Sequence, residues 1–285
     1  MAKRFTVACV QVSAGQDMDA NVKAASDLVR RARDAGAEFI LLPENVALME
    51  PRSEVIRRHA VPAGEHPVLA ALRDLAGEIG AWLLTGSLPM RSPDGRVANC
   101  STLLDPSGAV VQSYDKIHMF DVDLPSGESY RESKTFQPGE EACLAETPWG
   151  VLGMTVCYDL RFPQLYRSLA QAGAHFLSIP AAFTKVTGEA HWHVLQRARA
   201  IESGCFVFAP TQCGRHYGTR RTFGHSLIVD PWGEVLADGG EEVGFITAEI
   251  DPARVDEVRA MIPSLTHDRP FSAPAPGKPR ISAVS

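Results

Sequence analysis

The chain is 285 residues long, 45% hydrophobic, and carries a formal net charge of −6. That is enough apolar material for one large core, and the acidic balance excludes the basic excess of a nucleic-acid binder. No run of about 18 uncharged apolar residues occurs, so no membrane span is expected.

The opening Met1-Ala2-Lys3-Arg4-Phe5 lacks the apolar block of a secretion signal. The six cysteines, at 9, 100, 143, 157, 205 and 213, include no Cys-x-x-Cys pair, which argues against a zinc or dithiol site. Cys9, Cys100 and Cys205 fall in apolar runs and read as core thiols, in a reducing and cytoplasmic setting.

Short apolar strands alternate with helical patterns, which predicts an α/β fold. The first strand is Phe5 to Gln11. Val22, Ala25, Val29 and Ala32 then recur at helical spacing, and Gly36 supplies the stop. Glu38 to Pro43 is the next strand. Pro67 opens a helix with Val68, Leu72, Leu75 and Ile79 on one face, Gly80 ends it, and Ala81 to Ser87 is a strand. Asn99 to Tyr114 folds into a hairpin around Asp105-Pro106-Ser107-Gly108, and Gly224 to Ala237 repeats it around Asp230-Pro231-Trp232-Gly233. Pro at the second turn position and Gly at the fourth suit a tight turn. Further helices are expected over Phe162 to Ala172, Glu189 to Ser203, and Pro252 to Ile262 with Asp251 as cap. One domain is expected over 1–271. The Pro-, Ser- and Ala-rich residues from there to Ser285 read as an extended tail.

A second echo joins the two turns. Asp34-Ala35-Gly36-Ala37-Glu38-Phe39-Ile40-Leu41-Leu42-Pro43 resembles Gln171-Ala172-Gly173-Ala174-His175-Phe176-Leu177-Ser178-Ile179-Pro180. Both read as a helix end, a Gly stop and a buried strand ending at Pro. The echoes imply two related halves, each a sheet with helices on one face. Packing the bare faces together gives a four-layer α-β-β-α sandwich of two mixed sheets.

Three residues close such segments with reactive groups: Glu44 after Pro43, Lys116 after Ser113-Tyr114-Asp115, and Cys157 after Val151 to Val156. A carboxylate, an ammonium and a thiol at strand ends are the parts of acyl transfer through a thioester. Glu44, beside so apolar a run, is expected to have a raised pKa suited to general-base work. Cys157, ahead of a helix opening near Arg161-Phe162-Pro163, is expected to be exposed at a strand-to-helix turn with thiolate character. Each residue alone has a plainer reading: a buried structural thiol, a capping acid, a surface lysine. Glu132 alone reads as an exposed loop acid. His191 and His193 are two apart and do not share a helix face, so no metal site is expected. No glycine-rich phosphate loop is present.

The strings Leu41-Leu42-Pro43-Glu44-Asn45, Tyr114 to Asp123, Glu132 to Gly139, Gly153 to Pro163, Pro180 to Trp192 and Gly224 to Gly233 resemble, in order, the motifs of the nitrilase superfamily of carbon–nitrogen hydrolases. The resemblance runs to about Phe271. It implies the four-layer sandwich and a Glu-Lys-Cys triad at Glu44, Lys116 and Cys157, with Glu132 as second carboxylate. It also implies the backbone N–H of Tyr158 as an oxyanion donor and a substrate-binding role for Thr187 and His191. No cofactor or metal is implied. A homodimer or larger homo-oligomer is expected through the helix beginning near Phe162.

Within the superfamily, Cys157 to Pro163 and Ala190-His191-Trp192 look like the Nit amidase branch. The substrate is then a small anionic molecule cut at a terminal carboxamide to carboxylate and ammonia, resembling deaminated glutathione. The alternative is an α-keto acid amide such as α-ketoglutaramate. An N-carbamoyl hydrolase and a scaffold subunit with a vestigial site are the remaining alternatives. The basic cluster Arg215, His216, Arg220 and Arg221 can grip substrate carboxylates, with Arg215 and His216 as expected contacts. A solvated loop is the plainer reading.

Overall fold

The computed structural model describes residues 3–124 and 127–272. Two mixed sheets form its centre. The first has the order Gly244–Ile250, Phe5–Gln11, Phe39–Leu41, Trp82–Leu84, Val97–Leu104 and Leu88–Arg91, and Val110–Asp115 also pairs with Val97–Leu104. The second runs Val235–Asp238, Leu227–Val229, Phe206–Ala209, Phe176–Ser178, Gly150–Met154 and Cys143–Thr147. Three strands in the middle of each are parallel, and their neighbours are antiparallel.

Six helices are described: α1 (Met18–Asp34), α2 (Ser53–His59), α3 (Pro67–Ile79), α4 (Pro163–Gln171), α5 (Lys185–Ser203) and α6 (Ala253–Met261). The period-2 alternation of strand side chains separates the layers. Phe5, Val7, Cys9, Phe39 and Leu41 share a core with residues of the second sheet. Their neighbours Ala8, Val10, Ile40 and Leu42 share another with α1 and α3. Phe5 stacks on Trp149 at 4.3 Å, and Phe39 meets Phe208 edge-on at 6.2 Å, so the two sheets pack face to face. Each such aromatic ring stabilises the sandwich by roughly 1.5–3 kcal/mol. α4 lies close on the outer face of the second sheet, where a Cβ on Gly153 would sit 3.2 Å from Leu169. α5 also packs against this sheet. These contacts stack the layers in the order α-β-β-α.

The strand Phe5–Gln11 falls where the sequence predicts it. α5 starts four residues before the expected Glu189, because the Thr184 hydroxyl accepts from the Thr187 N–H and caps an earlier turn. α2, with no buried residue, carries no apolar stripe to betray it. The expected tail, apart from Ser272, lies outside the described residues.

Candidate active site

Glu44 leaves the first sheet just after Pro43. The turn is clamped from several sides. Gly86, at φ +72°, passes so close that a Cβ there would lie 2.0 Å from the Pro43 carbonyl oxygen. Asn45 takes a left-handed φ of 55° and donates its N–H to Ser87 Oγ at 3.1 Å. Gln212 Nε2 donates to the Glu44 carbonyl at 3.0 Å and to that of Asn45 at 3.2 Å. A residue held in this region without being glycine is backbone strain maintained by its surroundings.

Lys116 comes directly after Val110–Asp115 and is 1% exposed. Its N–H donates to the Asn99 carbonyl at 3.0 Å. Its Nζ donates to Glu44 Oε1 at 2.9 Å and to Glu132 Oε1 and Oε2 at 2.9 and 2.8 Å. Asn99 Nδ2 bridges the same two carboxylates at 3.0 and 3.1 Å, and the Phe120 N–H donates to Glu132 Oε2 at 2.7 Å. Burial works against the ammonium, but Glu132, Glu44 and the nearby Cys157 hold its pKa well above the ordinary lysine value. Burial likewise works to raise the Glu44 pKa. The charge of Lys116 and the hydrogen bonds from Cys157, Lys116 and the Ala182 N–H outweigh it, and the pKa lies below the ordinary value. This corrects the expectation of a raised Glu44 pKa: the apolar strand is not what the carboxylate faces.

Cys157 comes three residues after the strand Gly150–Met154, at φ +49°, with its N–H donating to the Pro180 carbonyl at 2.9 Å. Its thiol and the Glu44 carboxylate line the same cavity. Burial and the Glu44 charge push its pKa well above the ordinary thiol value, although Lys116 opposes them. The resting pair is therefore thiol and carboxylate, not thiolate. Cys157 opens the 3-10 turn Cys157–Arg161, and α4 begins only at Pro163. The expected help from an α-helix N-terminus is absent at the sulfur.

Asp159 fixes this turn. It is fully buried. Its Oδ2 accepts from the Val156 N–H at 2.9 Å and the Tyr114 O–H at 2.7 Å, and its Oδ1 accepts from the His118 N–H at 3.1 Å and bonds His118 Nδ1 at 2.7 Å. One carboxylate thus ties the turn bearing Cys157 to both sides of Lys116.

Glu44, Lys116, Glu132, Cys157, Tyr158 and Thr187 all line one cavity of about 640 Å³. Arg215, His216 and His191 do not line it, contrary to expectation. Arg215 Nε turns back to the Gly218 carbonyl at 2.9 Å. His216 is held between the Ala14 carbonyl and the Thr222 hydroxyl, each at 2.7 Å, and burial pushes its pKa down to about 4. A neutral ring satisfies both partners, with Nδ1–H donating and Nε2 accepting, so it offers an anion nothing. His191 is exposed and meets Arg161 Nη2 at 3.2 Å. Of the same basic cluster, Arg220 does line the cavity. His193 turns to Asp238, which also binds His225, at 2.9 and 2.8 Å.

The carbon–nitrogen hydrolase family model matches residues 6–260. The chain belongs to the carbon–nitrogen hydrolase family. It is 42% identical over 278 residues to a deaminated glutathione amidase of Yersinia enterocolitica, covering 96% of each chain. Among solved structures, Saccharomyces cerevisiae Nit3, of the nitrilase superfamily, superposes with a TM-score of 0.85 at 30% identity, covering 94% of this chain and 97% of that one. The C. elegans NitFhit protein superposes at 0.87 and 36%, with 94% of this chain covered, and this hydrolase spans 66% of that longer chain.

Asn99 and Asp159 are site residues that the sequence does not single out, and Arg220 is offered there only as one member of the basic cluster. A signal existed for Asn99, an amide inside the apolar run Val97-Ala98-Asn99-Cys100: a polar side chain buried in a strand must find partners. Asp159 lies two positions beyond the nucleophile and reads as an ordinary first-turn acid.

Proposed function

We propose that this carbon–nitrogen hydrolase cleaves amides by a thioester route, with Glu44, Lys116 and Cys157 as its triad. Glu132 fixes Lys116. The Glu44 carboxylate takes the thiol proton as the Cys157 sulfur attacks the amide carbon. The positive charge of Lys116 and the Tyr158 N–H stabilise the resulting oxyanion. The C–N bond breaks as Glu44 returns its proton to the leaving nitrogen, leaving an S-acyl enzyme. Water then gives a proton to Glu44 and attacks the thioester, and the sulfur leaves and regains that proton. The supporting observation is that a thiol, an ionised carboxylate and a buried ammonium meet in one cavity, with the ammonium bonded to the carboxylate.

Deaminated glutathione is the proposed substrate, on the strength of the relatives that bear its name, including the human protein at 41% identity. The amide bonds of that molecule are secondary, so their hydrolysis releases an amine. Ammonia is the product only from a primary carboxamide such as α-ketoglutaramate. Turnover of both compounds, with amine, ammonia and acid quantified, tests the reading. Faster cleavage of deaminated glutathione with release of an amine supports it, and no cleavage of either compound overturns it. Carbon dioxide from an N-carbamoyl compound would shift the assignment.

Two further readings complete the proposal. The enzyme works in the cytoplasm, supported by six unpaired cysteines. It forms a homodimer through the α4 side, supported by the exposed Val194 and Ile201 on α5, which packs against α4. Sedimentation that shows only monomer at micromolar concentration would exclude the dimer.

A further inference from the structure

Most charges in the cavity wall are already matched. Lys116 is shared by Glu44 and Glu132, Glu50 is paired with Arg52, and Arg131 with Asp123. Glu128 accepts the Tyr130 O–H at 3.0 Å. Arg220 differs. It is 8% exposed and makes no ion pair with any described carboxylate. Its guanidinium carbon lies 4.6 Å from the centre of the Tyr130 ring, and Nη2 donates to the Ala182 carbonyl at 2.6 Å. Its Nη1 is buried without a hydrogen-bond partner among the described residues. Its backbone is fixed at both ends, the N–H to the Tyr217 carbonyl at 2.8 Å and the carbonyl to the His216 N–H at 3.1 Å.

A desolvated cation with an unused donor is costly unless a ligand completes it. A planar guanidinium stacked on an aromatic ring is suited to binding a carboxylate. Arg220 is also close to the reacting groups, because Ala182, whose carbonyl it holds, donates its own N–H to Glu44 Oε2 at 2.9 Å. We propose that Arg220, seated on Tyr130, is a carboxylate subsite that selects amides bearing a second, acidic group. This rests on the amidase reading and adds the residue that would recognise the acidic group of the substrate. Of the basic cluster that the sequence offered for this role, Arg220 is the member that lines the cavity.

The competing reading is that Arg220 only holds the Ala182 carbonyl. Such a role would affect charged and neutral substrates alike. The test is calorimetric titration of the full-length Cys157→Ala protein with glutaramate and with pentanamide, a neutral amide of equal chain length. Arg220→Gln is expected to lower the ratio of glutaramate to pentanamide affinity by about tenfold or more, with Arg220→Lys between it and the parent. The same ratio in kcat/KM, measured with Cys157 intact, is expected to fall in parallel. Equal losses for both amides, or no saturable binding of glutaramate to the Cys157→Ala parent, would overturn the subsite. If binding depends on Arg220 but the intact enzyme hydrolyses neither these amides nor deaminated glutathione, the subsite stands and the amidase reading fails.

Discussion

The strands Phe39–Leu41 and Phe176–Ser178 reach the cavity by the same device and deliver different chemistry. Each comes after a helix and a glycine of positive φ, 95° at Gly36 and 104° at Gly173, and each is succeeded two residues on by proline. The first exit presents the Glu44 side chain. The second presents backbone: the Pro180 carbonyl accepts the Cys157 N–H, and the Ala182 N–H donates to Glu44 Oε2. The first half adds Lys116 from its hairpin, and the second adds Cys157 from the end of Gly150–Met154. A repeated backbone frame thus places two strand exits against one another, and side chains then divide the labour between acid–cation and nucleophile–amide.

The sharpest way to break this division is to remove the nucleophile. Cys157→Ala is expected to reduce turnover by about 10⁴-fold or more while leaving thermal unfolding close to the parent, because it removes one sulfur atom and keeps the backbone hydrogen bond to the Pro180 carbonyl. Residual turnover within tenfold of the parent would end the thioester route. Lys116→Met comes next and tests the acid–cation half. It leaves Glu44 and Glu132 buried without their cation, at a cost of about 3–5 kcal/mol in stability. It also lowers kcat by about 10²–10³-fold through loss of oxyanion stabilisation. Urea unfolding and steady-state kinetics read the two effects separately.

Asp159→Asn tests whether the halves must be tied together. The isosteric amide keeps the volume but loses charge-assisted bonds to Val156, Tyr114 and His118, each worth about 1.5–3 kcal/mol. A fall in kcat of roughly 10–100-fold with little change in KM is expected, since the residue positions Cys157 against Lys116 without lining the cavity. A change confined to KM would contradict a positioning role. The resting charges set the pH profile. Glu44 ionises below the ordinary carboxylate value, so its contribution to stability and activity is present above about pH 4.5 and lost as pH falls through its folded pKa. Lys116 contributes stability that persists up to the ordinary lysine value and is lost only as pH rises above it. Cys157 reacts from the thiol, so kcat/KM should be level from about pH 6 to 8.5, with no rise at the ordinary thiol pKa. A rise near pH 8.5 would show that the thiolate forms before Glu44 acts.

Strand ends, glycine stops and both Asp-Pro-x-Gly turns were readable because each is set by residues a few positions apart. The contacts that make the site work were not. Asn99 lies 55 positions from Glu44 and 33 from Glu132, yet bonds both. The direction of the Glu44 pKa depended on Lys116, 72 positions away, and not on the apolar strand beside it. Arg215 and Arg220 are chemically alike in sequence. Arg215 ends a strand paired with Arg221–Phe223, Arg220 lies just ahead of that partner strand, and of the two only Arg220 lines the cavity. Local chemistry is legible from spacing, whereas electrostatics depends on which distant segments are brought together.

The smallest predicted effect compares the two Asp-Pro-x-Gly turns. In each, the aspartate Oδ1 accepts N–H groups two and four residues on, and the glycine N–H returns to the aspartate carbonyl. Gly108 and Gly233 both have positive φ, 78° and 88°, so alanine at either carries a backbone penalty of about 1 kcal/mol. Their neighbours differ. A Cβ at Gly108 would lie 2.3 Å from the Arg73 carbonyl oxygen in α3, whereas at Gly233 it would lie 2.6 Å from the Ile201 side chain in α5. Ile201 is a side chain that can change rotamer, but a helix carbonyl cannot move without its helix. Gly108→Ala is therefore expected to destabilise by about 2–3 kcal/mol and Gly233→Ala by about 1 kcal/mol, read as the difference in urea midpoints. Equal losses would mean that the first hairpin can lift from α3 as easily as an isoleucine changes rotamer, and that the two halves meet their helices with the same compliance.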